Sequence, residues 1–102
     1  MVRQSTTFLF ILLASAGAAE KIFDATEIGR HNKKSDCWIS IDGGVYDVTR
    51  YLARHKDFEY DITKHCGTDT SALWIKKPGT GKPHSRKALR LLRKYRIGQA
   101  AQ

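Results

Sequence analysis

Residues 36–52 read DCWISIDGGVYDVTRYL, and this stretch decides the fold. Residues 37–41, which are apolar or aromatic apart from Ser40, have the pattern of a strand. Asp42 and the two glycines that follow it favour a tight turn, and residues 45–47 then predict a second strand. The two strands are expected to form a β-hairpin, and from Thr49 the pattern changes to a short helix that ends at Arg54.

Short elements with frequent breaks surround this hairpin. Upstream, Asp24 or Thr26 can cap a brief helix that runs through Ile28. Downstream, the sequence predicts helices over residues 59–65 and 70–76 and a loop over residues 77–83. The last helix begins near His84 and has an apolar stripe at helical spacing, made of Ala88, Leu91, Leu92 and Tyr95. The pattern predicts an α+β fold in which small helices outnumber strands.

Length and composition limit the classes of protein to which this chain can belong. The 102 residues allow one compact domain and exclude large multidomain enzymes. With 41% hydrophobic and 27% charged residues, the composition is that of an ordinary folded domain. We therefore expect a single folded unit.

The charge of the chain is strongly positive and unevenly distributed. The formal net charge is +8, and nine basic residues lie between residues 76 and 96 with no acidic residue among them. On the last helix the cations fall largely opposite the apolar stripe; they are Arg86, Arg90, Arg93 and Lys94. This basic face is either a solvated surface or a docking surface, and in the second case it predicts an acidic partner.

The first 19 residues have the three-part pattern of a secretory signal peptide. A basic start at Arg3 is followed by an apolar run from Phe8 and by small residues up to Ala19. The apolar run is too short for a membrane anchor, because a helix needs about 20 apolar residues to cross the hydrocarbon core. We expect cleavage after Ala18 or Ala19, which leaves residues 20–102 as the mature domain.

Two cysteines, Cys37 and Cys66, lie in the expected mature domain. Export would place them where disulfides persist, and two cysteines allow one intramolecular pairing. Closing a loop of this length stabilises a fold by about 3–4 kcal/mol in the chain-entropy model. The alternative is a pair of buried free thiols.

The four histidines, His31, His55, His65 and His84, show no metal-site spacing with a neighbour. Two of them occupy informative places, since His55 ends one amphipathic helix and His84 begins the last one. They can therefore face each other across a cleft. We expect its walls to consist of Tyr51, Ile62, Trp74, Leu91 and Tyr95. Such a cleft suits a flat apolar ligand.

Residues 38–52, followed by His55, resemble the signature of the cytochrome b5 fold. The resemblance covers about residues 23–98 and includes the step at residues 67–69 and the closing segments 84–85 and 95–98. It implies a small mixed sheet with short helices that form a haem cleft. The family usually has His-Pro-Gly-Gly at the first ligand, whereas residues 55–58 here read HKDF.

The resemblance also implies the roles of individual residues. His55 and His84 would be the two axial ligands of a haem b, and His65 would not be a ligand. Ser85 would lie near a propionate. The pocket-wall positions would belong to Tyr51, Ile62, Trp74, Leu91 and Tyr95. The signal peptide, the two cysteines and the lack of the usual C-terminal tail are similar to the exported, soluble bacterial members.

By this resemblance the chain is an exported, soluble b-type cytochrome that carries electrons and has no substrate of its own. Two imidazole ligands leave iron without an open position, and haem attachment is noncovalent because no Cys-x-x-Cys-His run is present. We expect a periplasmic or secreted monomer whose redox partner is acidic at its docking surface.

Three other classes remain as alternatives. A haem carrier would share the ligands, and a regulatory haem- or steroid-binding module would have tyrosine in place of the histidine pair. A nucleic-acid-binding role rests on the net charge alone and lacks the aromatic residues expected between the basic ones.

Overall fold

A computed structural model describes residues 20–54, 62–77 and 81–102. Along the chain these residues form β1 (Ile22–Phe23), α1 (Ala25–Arg30), β2 (Asn32–Lys33), β3 (Asp36–Ile41), β4 (Gly44–Asp47) and α2 (Thr49–Arg54). A 3-10 turn (Ile62–His65), β5 (Thr68–Asp69), α3 (Ser71–Ile75), α4 (Arg86–Arg93) and β6 (Arg96–Ala100) follow. The fold is α+β, as the sequence predicts.

A mixed sheet forms the base of the molecule. In the described residues its strands lie in the order β1-β6-β4-β3-β2, and β5 pairs in parallel with β3. The predicted hairpin of β3 and β4 is present, with Ile41 opposite Gly44. Asp42 and Gly43 connect the strands with φ values of 46° and 81°. Two consecutive positive φ angles match the right-handed twist of the flanking strands, which explains the Asp-Gly pair.

The core lies between the sheet and the helices. Val45 is fully buried, and Ile41, Val48 and Leu52 are also buried. The hairpin and α2 thus supply most of the apolar side chains that exclude water, and Leu92 adds the contribution of α4. The apolar pattern of residues 37–52 therefore predicts the core as well as the hairpin.

The predicted disulfide between Cys37 and Cys66 is present in the structure. Cys37 lies in β3 and Cys66 follows the 3-10 turn, with the two Cα atoms 4.9 Å apart. Both residues are buried. The bond therefore ties the 3-10 turn to the middle of the sheet.

Two sequence-based expectations about the elements are wrong. In the described part of the chain, six strands outnumber four α-helices and one 3-10 turn. The sequence missed β1, β2, β5 and β6 because the first three have only two residues and β6 is interrupted by Gly98. The helix predicted over residues 59–65 is a 3-10 turn over its last four residues, and residues 59–61 lie outside the described ranges.

The caps that frame two of the helices follow from local sequence. Asp24 caps α1 by accepting a hydrogen bond from the Glu27 amide at 2.8 Å, which selects it over Thr26. Ser85 caps α4 in the same way through the amide of Ala88, at 3.1 Å. Across residues 20–54, 62–77 and 81–102, none of the helices is long and apolar enough to cross a membrane.

Candidate functional site

Aromatic and apolar side chains from four separate parts of the chain pack against the same part of the core. Tyr51 of α2, Ile62 of the 3-10 turn, Trp74 of α3 and Tyr95 after α4 are partly buried against the core cluster that contains Leu52 and Leu92. The structure thus brings together four of the five predicted wall residues. The fifth, Leu91, lies on α4 with 39% of its surface exposed.

Two aromatic contacts fix the ends of α4. At its start, the His84 ring stacks on Trp74, with ring centroids 3.9 Å apart and planes at 26°. At its end, Tyr95 meets Tyr51 edge to face, with centroids 5.9 Å apart. Contacts of this kind stabilise a particular arrangement of rings in addition to burying apolar surface. They hold α4 against α3 at one end and α2 at the other.

His84 is held by its backbone as well as by its ring. Its amide donates to the carbonyl of Trp74 at 2.9 Å. The side-chain Nδ1 is buried and has no hydrogen-bond partner among the described residues. Burial of the ring lowers the pKa of His84, an effect that the nearby carbonyls of Trp74 and Leu73 partly oppose. The lowered pKa favours the neutral imidazole, which is the form that binds a metal.

Ser85 stands next to His84 and is exposed. Its hydroxyl oxygen accepts the capping hydrogen bond from Ala88, so its proton remains available to donate. A donor at this position is compatible with the predicted place near a propionate.

His55, the other predicted ligand, lies outside the described residues. The chain reaches it directly from α2, which ends at Arg54 and contains the wall residue Tyr51. His65 belongs to the 3-10 turn, and its carbonyl accepts a hydrogen bond from the Thr68 hydroxyl at 2.6 Å.

His31 is part of a cluster that the sequence analysis missed. Its Nδ1 lies 2.8 Å from a carboxylate oxygen of Asp36, and its Nε2 lies 2.8 Å from one of Glu27. The ring also stacks on Trp38, with centroids 3.5 Å apart and planes at 7°. The spacing of Glu27 and His31 by four positions on a helix is the signal that could have revealed the first pair.

The hydrogen bonds of this cluster affect ionisation. Burial opposes the charged form of His31, but the bonds to Asp36 and Glu27 outweigh it and raise the pKa of the imidazole. The cluster connects the C-terminal end of α1 to the start of β3. Its role in the described structure is to join these two elements.

The basic surface differs in one respect from the expectation. Arg96 is paired, because its guanidinium donates to both carboxylate oxygens of Glu20, at 2.8 and 2.9 Å. The sequence analysis missed this pair because 76 positions separate the two residues. The cations on α4 are exposed and belong to no ion pair in the described part of the chain; they are Arg86, Lys87, Arg90 and Arg93, with Lys94 directly after the helix.

Known proteins resemble this chain over nearly all of the described domain. The chain is 36% identical over 77 residues to a protein named soluble cytochrome b558 from Ectothiorhodospira shaposhnikovii, covering 76% of this chain and 84% of that protein. It is also 37% identical over 81 residues to nitrate reductase [NADH] 1 from Phaseolus vulgaris, of which it covers 8%. The second match is therefore to one small part of a much longer protein.

A solved structure shows the same fold. The structure of Ectothiorhodospira vacuolata cytochrome b558, described as a prokaryotic homologue of cytochrome b5, matches with a TM-score of 0.72 and 34% identity. The match covers 79% of this chain and 99% of that one.

The family model described as Cytochrome b5-like Heme/Steroid binding domain matches residues 24–101. Fold and sequence agree, and the chain belongs to the cytochrome b5-like family.

Proposed function

We propose that this protein is an electron carrier that holds a noncovalent haem b between His55 and His84. The observation that carries the proposal is the environment of His84, a partly buried imidazole just before α4. Its ring stacks on Trp74, and its buried Nδ1 has no hydrogen-bond partner among the described residues. The name and structure of cytochrome b558 support the same assignment. Haem iron held by two imidazoles has no open coordination position and is suited to outer-sphere transfer of single electrons.

The residues around His84 fit such a group. One nitrogen of His84 is needed for iron, and the other can donate to a backbone carbonyl, which fixes the orientation of a ligating ring. The carbonyls of Trp74 and Leu73 lie close to this ring. Trp74 limits rotation of the imidazole by stacking on it. Tyr51, Ile62 and Tyr95 supply apolar surface, and the exposed side of Leu91 would be covered by a flat ligand.

We also propose that the protein is exported after removal of residues 1–19 and works as a periplasmic or secreted monomer. The disulfide between Cys37 and Cys66 supports this location, because such bonds persist outside the reducing cytosol. Amino-terminal sequencing of the protein recovered from outside the cytoplasm tests the proposal. A first residue at position 19 or 20 is expected, whereas recovery of the uncleaved chain in the cytoplasm would contradict it.

The redox partner is proposed to be acidic where it docks. The support is the formal net charge of +8 together with the cations of α4, which join no ion pair in the part of the chain that the structure describes. Opposite charge accelerates encounter and orients the two proteins before electrons move.

An absorption spectrum of the purified protein reconstituted with haem tests the central proposal. We expect low-spin bands in both redox states, with a split α band on reduction, as two axial imidazoles require. A high-spin spectrum, or no uptake of haem, would overturn the proposal. Transfer of the haem to apomyoglobin within minutes would instead favour the haem-carrier alternative, so the same sample decides between the two.

A further inference from the structure

One face of α4 combines three exposed arginines with an exposed leucine. The residues are Arg86, Leu89, Arg90 and Arg93, here called the arginine–leucine patch. Positions three and four apart are neighbours on a helix, so Leu89 borders Arg86 and Arg93, and Arg90 borders the same two residues. The four side chains therefore form one continuous patch.

Leu89 adds an exposed apolar side chain to this charged face. Leu89 is 41% exposed, whereas Leu92 on the same helix is buried. Leu91 is also exposed, but it has a predicted place in the haem cleft and lies two positions from Leu89, on another side of the helix. Leu89 is not among the predicted wall residues and lies among cations.

Within the described residues, no acidic side chain pairs with the arginines of the patch. No acidic residue occurs from position 84 to the C-terminus. An apolar side chain next to arginines is typical of protein–protein interfaces, where arginine is enriched and a small apolar centre is surrounded by polar groups. The planar guanidinium of arginine also pairs with a carboxylate through two parallel hydrogen bonds.

We infer that the arginine–leucine patch is the docking surface for an acidic redox protein, with Leu89 as its apolar contact. This inference rests on the proposed electron-carrier function and specifies where the partner binds. The arginines would pair with carboxylates of the partner, and Leu89 would pack against an apolar side chain between them. Because α4 begins directly after Ser85 and His84, a partner bound here would lie beside one edge of the haem cleft.

The test uses reduced plant-type ferredoxin, an acidic one-electron donor, and measures the rate at which it reduces the ferric haem protein. Each transfer oxidises one ferredoxin and reduces one haem iron. At low salt we expect the double variant Arg90→Glu/Arg93→Glu to react at least about tenfold more slowly than the wild type. The matched control is Lys33→Glu/Lys34→Glu, which changes the net charge equally at exposed positions at the start of the β2–β3 turn. A much smaller effect is expected for this control.

Leu89→Ala tests the apolar contact separately. We expect a weaker complex, with the dissociation constant for ferredoxin raised about five- to tenfold and little change in the salt dependence. The absorption spectrum and thermal unfolding of each variant show whether the fold and the haem site are intact. Leu89→Lys, which retains helix propensity and adds another cation, should also weaken binding if an apolar contact is required.

Three results would overturn the inference. If both charge-reversal pairs slow the reaction equally, the net charge of the protein sets the rate and no particular patch does. If Arg90→Glu/Arg93→Glu leaves the rate unchanged, α4 is not involved. If the wild type binds phosphatidylglycerol vesicles through Arg90 and Arg93 while the ferredoxin reaction ignores them, the surface binds anionic lipid instead. In each case a low-spin spectrum of the wild type would leave the electron-carrier function standing.

Discussion

His31 and His84 each stack on a tryptophan, yet their ring nitrogens have opposite surroundings. Both nitrogens of His31 face carboxylates, whereas Nδ1 of His84 is buried without a partner in the described residues. The pKa of His31 is therefore raised and that of His84 is lowered. The first environment suits a structural cation, and the second suits a neutral imidazole that can bind iron.

Replacing either proposed ligand should change the spin state of the haem. In His55→Ala and His84→Ala we expect a high-spin component, because one axial position becomes open. Haem affinity should fall by more than the roughly 10- to 100-fold loss that is typical of removing an outer-shell partner. Absorption spectroscopy and haem transfer to apomyoglobin measure the two effects. His31→Ala and His65→Ala serve as controls, and a change of spin state in His65→Ala alone would contradict the ligand assignment.

The carboxylate cluster of His31 should make stability depend on pH. The groups around the ring are Glu27 on α1 and Asp36 on β3, and Arg30 pairs with the other oxygen of Glu27. Because folding raises the pKa of His31, its contribution is fully present below the pKa of the unfolded chain and is lost as pH rises through the folded pKa.

Urea unfolding measures this effect as the difference in the free energy of unfolding between the wild type and His31→Gln. The measurements run from pH 5.5 to 9 and so cover both sides of about 6.5, the ordinary pKa of histidine. We expect the stability difference to be largest at the acidic end and to shrink above neutral pH. A difference that grows with pH would show that the cluster stabilises the neutral ring.

At the scale of elements, local sequence decides where the helices start and where the hairpin turns. The caps Asp24 and Ser85 accept amide hydrogen bonds at the starts of α1 and α4. Asp42 and Gly43 adopt the left-handed conformation between β3 and β4. These are short-range effects, so each can be tested by a single substitution.

The two helix caps should contribute equally to stability but differently to haem retention. We expect Asp24→Ala and Ser85→Ala each to lower the free energy of unfolding by about 1 kcal/mol, since each leaves an amide without its acceptor. Only Ser85→Ala should also accelerate haem loss, because Ser85 is the predicted propionate contact. Ser85→Thr, which keeps the hydroxyl group, should have the wild-type free energy of unfolding and the wild-type rate of haem loss. Equal haem loss in both alanine variants would remove the propionate role and leave Ser85 as a cap alone.

Two glycines should respond to alanine in opposite directions. Gly43 has a φ of 81°, so Gly43→Ala should destabilise the protein by about 1–2 kcal/mol. Gly29 lies in α1 with no atom within 4 Å of the place a Cβ would take. Gly29→Ala should therefore stabilise the protein by about 0.5–1 kcal/mol through helix propensity. Urea unfolding of both variants checks the signs, and stabilisation by Gly43→Ala would show that the turn has another conformation.

At the scale of the whole molecule, long-range links join segments that are far apart in sequence. The disulfide connects β3 to the 3-10 turn, and the Glu20–Arg96 ion pair lies where β1 and β6 run in parallel. The contacts of His84 and Tyr95 hold α4 against α3 and α2. A domain this small has a limited core, so such links are expected to matter for its stability.

Reduction of the disulfide should lower stability without changing the haem ligands. We expect the free energy of unfolding to fall by about 3–4 kcal/mol when dithiothreitol is present, because the unfolded chain gains freedom. The visible spectrum of the folded protein should stay largely the same, since neither sulfur is proposed to bind iron. Thiol titration of the unfolded, unreduced protein should find no free thiol, and two thiols would refute the bond.

The sequence by itself determined the hairpin, the helical stripe of α4 and the family, and it narrowed the cap of α1 to Asp24 or Thr26. Each depends on neighbours in the chain: an Asp-Gly turn between two apolar runs, or apolar residues at helical spacing. Motifs in the right order also singled out His84 and the wall residues before any contact was visible. The signal peptide and the ligand roles of His55 and His84 stay predictions; residues 1–19 and His55 lie outside the described residues.

Only the tertiary structure decided which distant residues meet. Two-residue strands such as β1, β2 and β5 have almost no pattern of their own and exist because a neighbouring strand supplies their hydrogen bonds. The Asp36 contact of His31 and the pairing of Arg96 with Glu20 also depend on the folded sheet, which brings these side chains within hydrogen-bond distance. Sequence periodicity reports local geometry, whereas these contacts arise from the packing of the whole chain.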